Sequence, residues 1–280
     1  MIFKIIFYVV IFIFGSVVGS FLNCLIYRLK TKESFLKGRS FCPYCKHTLT
    51  WRDLIPIFSF LLLKGKCRYC QKKISPQYPL VELASGVLFV LILIYFPQTY
   101  FPQTYFPQTL PIRIILAMAK IIRMGYFLAI TSFLIVIFVY DLKHFIIPDK
   151  VVFPAIIIAL FYNLFRCFYN SSSLCLYTLY AAFGAAGFFL SIVLISRGKW
   201  MGLGDVKLAF LMGLFLGFPK ILVALFLAFL IGAIIGIGLI LTKRKTFGSE
   251  VPFGPFLVTG TFIALFWGKE IVRWYLNLLL

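Results

Sequence analysis

The chain has 280 residues, 62% of them hydrophobic, and a mean hydropathy of +1.02. Its 28 Lys and Arg against eight Asp and Glu give a formal net charge of +20. Apolar runs near or above the roughly 20 residues that cross a bilayer recur along it, which excludes an ordinary soluble domain and points to an all-α polytopic membrane protein. Nucleic-acid binding is disfavoured despite the charge, because the aromatic residues fall in the apolar runs rather than among the basic residues.

In chain order, the first apolar stretch reaches from Ile2 to about Tyr27. It is too long for a signal-peptide core and no small-residue cleavage site follows, so it is expected to remain as a membrane helix over about 3–26. A polar loop comes next, with twelve Lys or Arg between Arg28 and Lys73 against Glu33 and Asp53. Basic residues gathered in one loop mark the cytoplasmic side and suit anionic lipid head groups. The loop carries Cys42-Pro43-Tyr44-Cys45 and, 21 residues on, Cys67-Arg68-Tyr69-Cys70. Each pair can place two thiolates on one turn, and two turns complete a tetrahedral zinc site. The site would be structural, since four cysteines leave no open coordination position. A redox dithiol and an incidental clustering are the competing readings. His47 and His144 are not needed as ligands, and a disulfide is disfavoured facing a reducing compartment.

Further spans are expected at about 79–96, 114–140, 151–169, 176–196, 203–218, 220–241 and 254–276, eight in all. Alternation from a cytoplasmic 28–73 loop puts 141–150, 197–205 and 242–253 inside, and all three carry Lys or Arg. Arg113, Lys120 and Arg123 run against the pattern, so the third span either begins late or lies partly in the interface. Three copies of Tyr-Phe-Pro-Gln-Thr at 95–109 read as an expanded outer loop, because a proline every fifth residue forbids regular ladders. Pro219-Lys220 divides the tract Leu208 to Leu241 into two short spans. Cys24 is expected to be buried. Cys167 and Cys175 flank an outer loop, where they either pair or remain free thiols.

Two acids stand out. Asp141 ends the uncharged run from Gly125 to Tyr140, and Asp205 sits in Gly202-Leu203-Gly204-Asp205. Ionisable groups at the edge of a bilayer are costly and are functional candidates by default. Held close and sharing a proton, one carboxylate can act as general base toward a water while the other donates to a scissile carbonyl. Gly202 and Gly204 would allow close approach of an extended peptide. The competing reading pairs these acids with Lys143 and Lys207 as interfacial ion pairs, and residue chemistry alone leaves both open. Asp149 is expected to cap the helix that follows it, with a catalytic role as the alternative, and Asn23 to hydrogen-bond between helices.

Several strings occur together in a characteristic order: Gly19-Ser20-Phe21-Leu22-Asn23 with Tyr27-Arg28; Cys42 to Gly86, including Trp51, Pro56 and Pro79-Leu80-Val81-Glu82-Leu83; Asp141-Leu142 with Ile147-Pro148-Asp149; Gly202 to Lys207; and Pro252-Phe253-Gly254-Pro255. In this order the chain resembles the type IV prepilin peptidases, which are Gly-x-Gly-Asp membrane aspartic proteases. The resemblance implies cleavage of the basic leader of type IV prepilins and type II secretion pseudopilins at the cytoplasmic face of the bacterial inner membrane, with Asp141 and Asp205 catalytic. For members with a tetracysteine loop it also implies N-methylation of the new terminus from S-adenosyl-L-methionine. The region from Cys42 to Gly86, with Glu82 and Gly86, is the place expected for that second activity. The domain organisation expected is a first helix at 1–27, a zinc loop at 28–78 held by Cys42, Cys45, Cys67 and Cys70, and a membrane peptidase core at 79–280. The partners implied are the pilin precursors and membrane lipid. The rival readings are an ion-coupled transporter using the two aspartates, and a non-catalytic pilus or secretion assembly scaffold.

Overall fold

A computed structural model describes residues 2–31, 38–95, 110–169, 172–243 and 251–279. Its regular elements are helices: α1 (Ile2–Thr31), α2 (Phe58–Leu62), α3 (Gln77–Tyr95), α4 (Leu110–His144), α5 (Asp149–Tyr169), α6 (Ser172–Ser196), α7 (Leu203–Leu216), α8 (Lys220–Leu241) and α9 (Gly254–Leu279). Two isolated β-bridges lie in the cysteine loop. Among the described residues, seven helices are long and apolar enough to cross a membrane. This is a multi-pass α-helical membrane protein.

The eight expected spans all appear as helices, but α7 is shorter than the 203–218 expected. Its 14 residues rise about 21 Å, below the roughly 30 Å of a hydrocarbon core. The cause is local. Gly217 turns to φ 67° and returns its N–H to the Gly213 carbonyl, and Pro219 follows. A short helix is tolerated because protein rather than lipid surrounds it: Leu208, Leu211, Met212 and Leu214 are fully buried. At the other extreme, α4 starts at Leu110, ahead of the expected span. The pentapeptide repeat at 95–109 lies outside the described residues except for Tyr95, which ends α3. The side chain of Cys175 lies outside them too, and with it the proposed Cys167–Cys175 pair.

The chain divides into two compact units, 1–136 and 137–280. In the first, α1 packs along α3. Two helices in lipid gain little from apolar side chains, so small residues that let backbones approach carry the contact. Gly15 and Gly19, four apart on α1, face Ser85, Gly86 and Glu82 of α3, and a Cβ on either glycine would come within 3.0 Å of those residues. Asn23 is buried beside them and donates Nδ2–H to the Tyr78 carbonyl at 3.0 Å, while Gln77 donates back to Asn23 Oδ1 at 3.2 Å. The inter-helix role expected for Asn23 is therefore what it has.

In the second unit α7 is central, packed by α5, α6, α8 and α9. Gly213 lies against the Ala181 and Ala182 backbone of α6, and Gly260 of α9 lies against Ala224 of α8. Buried Asn163 of α5 donates to the Leu214 carbonyl of α7 at 3.1 Å, satisfying its amide in an apolar setting.

Candidate active site and cysteine centre

Asp141 lies in the last turn of α4 and is 4% exposed. Its Oδ2 accepts the backbone N–H of Gly254, 113 positions on, at 3.0 Å. Gly254 is the first residue of α9. The N–H groups that open a helix have no partner within it, and the helix dipole favours a negative group there. Asp205 has a parallel arrangement. It is the third residue of α7, half-buried, and its Oδ2 accepts the N–H of the N-cap residue Gly202 at 3.3 Å, which is one half of a capping box. The two carboxylates are near enough to act on each other electrostatically. Each therefore sits at the positive end of a different helix, which offsets part of their mutual repulsion.

The lysine alternative does not hold for Asp205. Lys207 Nζ instead contacts Asp149 Oδ1 at 2.7 Å. Asp149 itself is the first residue of α5 rather than the residue before it, and Pro148 supplies the carbonyl that accepts the first helical N–H groups, from Val151 and Val152. The capping role expected of Asp149 is thus replaced by an ion pair joining the starts of α5 and α7.

The glycines around Asp205 serve different ends. A Cβ at Gly204 would lie 3.0 Å from Ile147 Cβ, so its smallness is used by the protein's own α4–α5 connection. Gly202 meets nothing nearer than 3.9 Å and has φ −87°, ψ 158°, which any residue adopts. It leaves open space beside the acid.

In the first unit the four cysteines come together, with all their sulfurs within 4.8 Å of one another. The two Cys-x2-Cys turns are built alike. Cys42 N–H donates to the His47 carbonyl and Lys46 N–H to the Cys42 carbonyl; Cys67 N–H donates to the Lys72 carbonyl and Gln71 N–H to the Cys67 carbonyl. Lys46 and Gln71, four residues after the first cysteine of each pair, both take left-handed φ, at 57° and 58°. Bridges Phe41–Thr48 and Lys66–Lys73 close the two turns. The His47 and Tyr69 rings, 3.7 Å apart, join one turn to the other. Cys42 and Cys70 Sγ are 3.9 Å apart, close to the about 3.8 Å edge of a tetrahedron with Zn–S bonds of about 2.3 Å. Burial raises the Cys42 thiol, but the Cys45 and Tyr44 N–H groups outweigh it and bring it down to about 7. At Cys70 the Lys72 N–H favours the thiolate, yet burial and the neighbouring thiols push it up to about 11. Crowded sulfurs of this kind suit a cation.

Asp53 braces the second turn. It accepts Arg68 Nε–H at 2.8 Å, the Tyr69 hydroxyl at 3.3 Å, and the hydroxyl and N–H of Thr50 at 2.7 and 3.1 Å. Glu82 of α3 accepts the Ile57 N–H at 2.8 Å. Gly86 faces Ser16 and the Phe12 ring of α1, and a Cβ there would come within 2.8 Å of both.

A family model described as the bacterial peptidase A24 N-terminal domain matches residues 13–96, and one described as the type IV leader peptidase family matches 128–237. The chain is 31% identical over 304 residues to the prepilin leader peptidase/N-methyltransferase of Aeromonas hydrophila, covering 95% of this chain and 93% of the relative. It is 32% identical to the protein of that name from Bacillus subtilis, covering 97% and 98% of the two chains, and 30% identical to that from Pseudomonas aeruginosa, covering 94% and 91%. The chain belongs to the type IV leader peptidase family. No solved structure matches it.

Both aspartates of this leader peptidase family member come from the sequence reading, but the partner of Asp141 does not. The string Pro252-Phe253-Gly254-Pro255 carries no role in its residue chemistry alone, and only the fold shows that its glycine donates to Asp141. The sequence signal for the α1–α3 contact is Gly15-x3-Gly19, two small residues about one helical turn apart.

Proposed function

We propose that this chain is a membrane aspartic endopeptidase that removes the leader of type IV prepilins and type II secretion pseudopilins at the cytoplasmic face, with Asp141 and Asp205 as its catalytic carboxylates. The observation that carries this reading is the convergence of two acids on helix N-termini within electrostatic reach of each other. A water beside the pair loses a proton to one carboxylate as it attacks the scissile carbonyl, and the other, protonated, donates to the carbonyl oxygen. Collapse of the tetrahedral species expels the new amino terminus, which takes up a proton. With Asp141 Oδ2 engaged by Gly254, Oδ1 is the oxygen left to react. The open side of Gly202 gives an extended peptide room to lie against Asp205.

The same reading makes Cys42, Cys45, Cys67 and Cys70 a structural zinc site, supported by four sulfurs within 4.8 Å of one another. It makes the chain a second-step enzyme too, methylating the new terminus from S-adenosyl-L-methionine, as the names of its relatives indicate for those proteins. Glu82 and Gly86 belong to the segment assigned to that activity. The basic 28–73 loop and both aspartates face the cytoplasm of a bacterial inner membrane.

The test is a co-expressed prepilin whose leader loss is read as a mass shift, with wild type beside Asp141→Asn and Asp205→Asn and membrane insertion checked in each. The expected result is cutting by wild type alone, with a further methylene mass on its product. Cutting by both inserted variants would remove the carboxylate mechanism.

A further inference from the structure

The segment after the first cysteine pair presents an apolar surface that the described residues of its own unit leave exposed. Trp51 is 71% exposed, Phe58 67%, Leu61 63% and Leu62 80%, with Leu54 and Ile55 exposed beside them. Trp51 opens a short 3-10 turn that packs against α2, so these side chains belong to one small structure. A soluble loop with this composition would be an aggregation hazard, and a contiguous exposed apolar patch usually marks a contact.

The fold sets the height of this patch. The Ile57 N–H, between the 3-10 turn and α2, is held at 2.8 Å by Glu82 of α3. Phe58 N–H donates to the Pro56 carbonyl at 2.6 Å around Ile57, whose φ and ψ are 64° and −53°. That is a γ-turn, strained for a β-branched residue, and the Glu82 bond is one of the contacts that hold it. Helix α3 has 19 residues, about 28 Å, so nearly all of it is needed to cross a core of about 30 Å. Glu82 lies about 7.5 Å along α3 from Gln77 at 1.5 Å per residue. Ile57 is therefore tied within about 7.5 Å of the boundary between head groups and acyl chains, on its acyl side. Interfacial amphipathic segments bury their apolar face about 5–10 Å into that zone.

Charge agrees with depth. Arg52 lies over the Trp51 ring at 5.3 Å, and Lys64, Lys66, Arg68, Lys72 and Lys73 follow within the same loop. Tryptophan with flanking basic residues is the composition of a protein surface seated at an anionic interface.

We infer that residues 51–62 form an interfacial anchor whose exposed apolar face, led by Trp51, Phe58 and Leu62, is embedded in the head-group region of an anionic bilayer. This rests on the membrane reading of α1 and α3 and not on the catalytic reading. The anchor fixes the cysteine module against the surface, so the module does not hang free on its two tethers.

The test uses the full chain in vesicles with Trp51 as its sole tryptophan, made by Trp200→Phe, Trp267→Phe and Trp274→Phe, all at exposed positions. With phosphatidylglycerol brominated on the upper acyl chain, Trp51 emission falls by about half, as an interfacial depth requires, and aqueous acrylamide quenches it weakly. The lipid quenching is smaller in phosphatidylcholine and declines with salt, because head-group charge contributes. Adding Phe58→Ser and Leu62→Ser lowers the lipid quenching and raises the acrylamide quenching. Strong acrylamide quenching without lipid quenching would mean the face looks into water. Protection from both quenchers would mean that protein covers it. Either result overturns the inference. Leader cleavage read in the same vesicles separates the two readings: lost quenching with intact cutting sinks only the anchor, and lost cutting with intact quenching sinks only the protease mechanism.

Discussion

Gly254→Ala tests the carboxylate geometry without touching either acid. The added methyl carbon would stand 2.5 Å from Asp141 Oδ2 and 3.1 Å from its Cγ. Carbon contacts settle at about 3.5–4.0 Å, so the Asp141 oxygen and the start of α9 must part by about 1 Å, and the 3.0 Å bond from the Gly254 N–H is stretched or lost. Helix propensity does not oppose the change, since Ala is a better helix former than Gly. The variant should therefore insert and fold while holding its acid out of place. Displacement of a reacting group by about 1 Å costs on the order of 100-fold in rate. The assay is leader removal from a purified prepilin in mixed micelles, followed by mass and by initial rate, with thermal unfolding measured alongside. Gly202→Ala is the control, because its Cβ meets open space and its backbone suits any residue; it should melt like wild type. A folded Gly254→Ala enzyme cutting within about three-fold of wild type would refute the assignment of Gly254 as the residue that positions Asp141.

Other outcomes follow from the same structure. Lys207→Met breaks the partly exposed pair with Asp149 and should lower stability by less than about 1 kcal/mol, with leader cleavage retained; loss of all cleavage would place Lys207 in the chemistry. One zinc per chain should be found by elemental analysis, and Cys42→Ser or Cys67→Ser should abolish it and speed tryptic cutting within 38–75; metal-free wild type with an equally resistant loop would remove the zinc assignment. Burial opposes ionisation of Asp53, but the Thr50 hydroxyl and N–H and the Arg68 guanidinium outweigh it and hold the carboxyl below its usual range. A carboxyl lowered in the folded state stabilises above its unfolded value and loses that contribution as pH falls through its folded value, so Asp53→Asn should loosen the loop at pH 7, seen as faster amide exchange over 50–73. That difference should shrink as pH drops below the ordinary carboxylate range, and a pH-independent difference would show that the charge is not what braces the loop.

Much of this protein follows from short-range pattern. The lipid core requires long apolar helices, so hydropathy alone places the spans, although α4 begins earlier than expected and α7 is short because protein surrounds it and it need not match the bilayer. The cysteine spacing predicts two matching turns, because a Cys-x2-Cys turn is a local structure. Asp141 and Asp205 stand out because charges are scarce in such a chain. What needed the tertiary structure lies across long separations. Asp141 is held by an N–H 113 positions away, and no local pattern encodes which helix N-terminus will reach it. Lys207 has Asp205 two positions before it yet pairs with Asp149, since adjacent turns of α5 and α7 decide the partner. Gly204 was legible as a small residue, but its neighbour Ile147 was not. Residue chemistry and spacing are written in the chain, whereas the choice among chemically equivalent partners is made by packing, which depends on every helix at once.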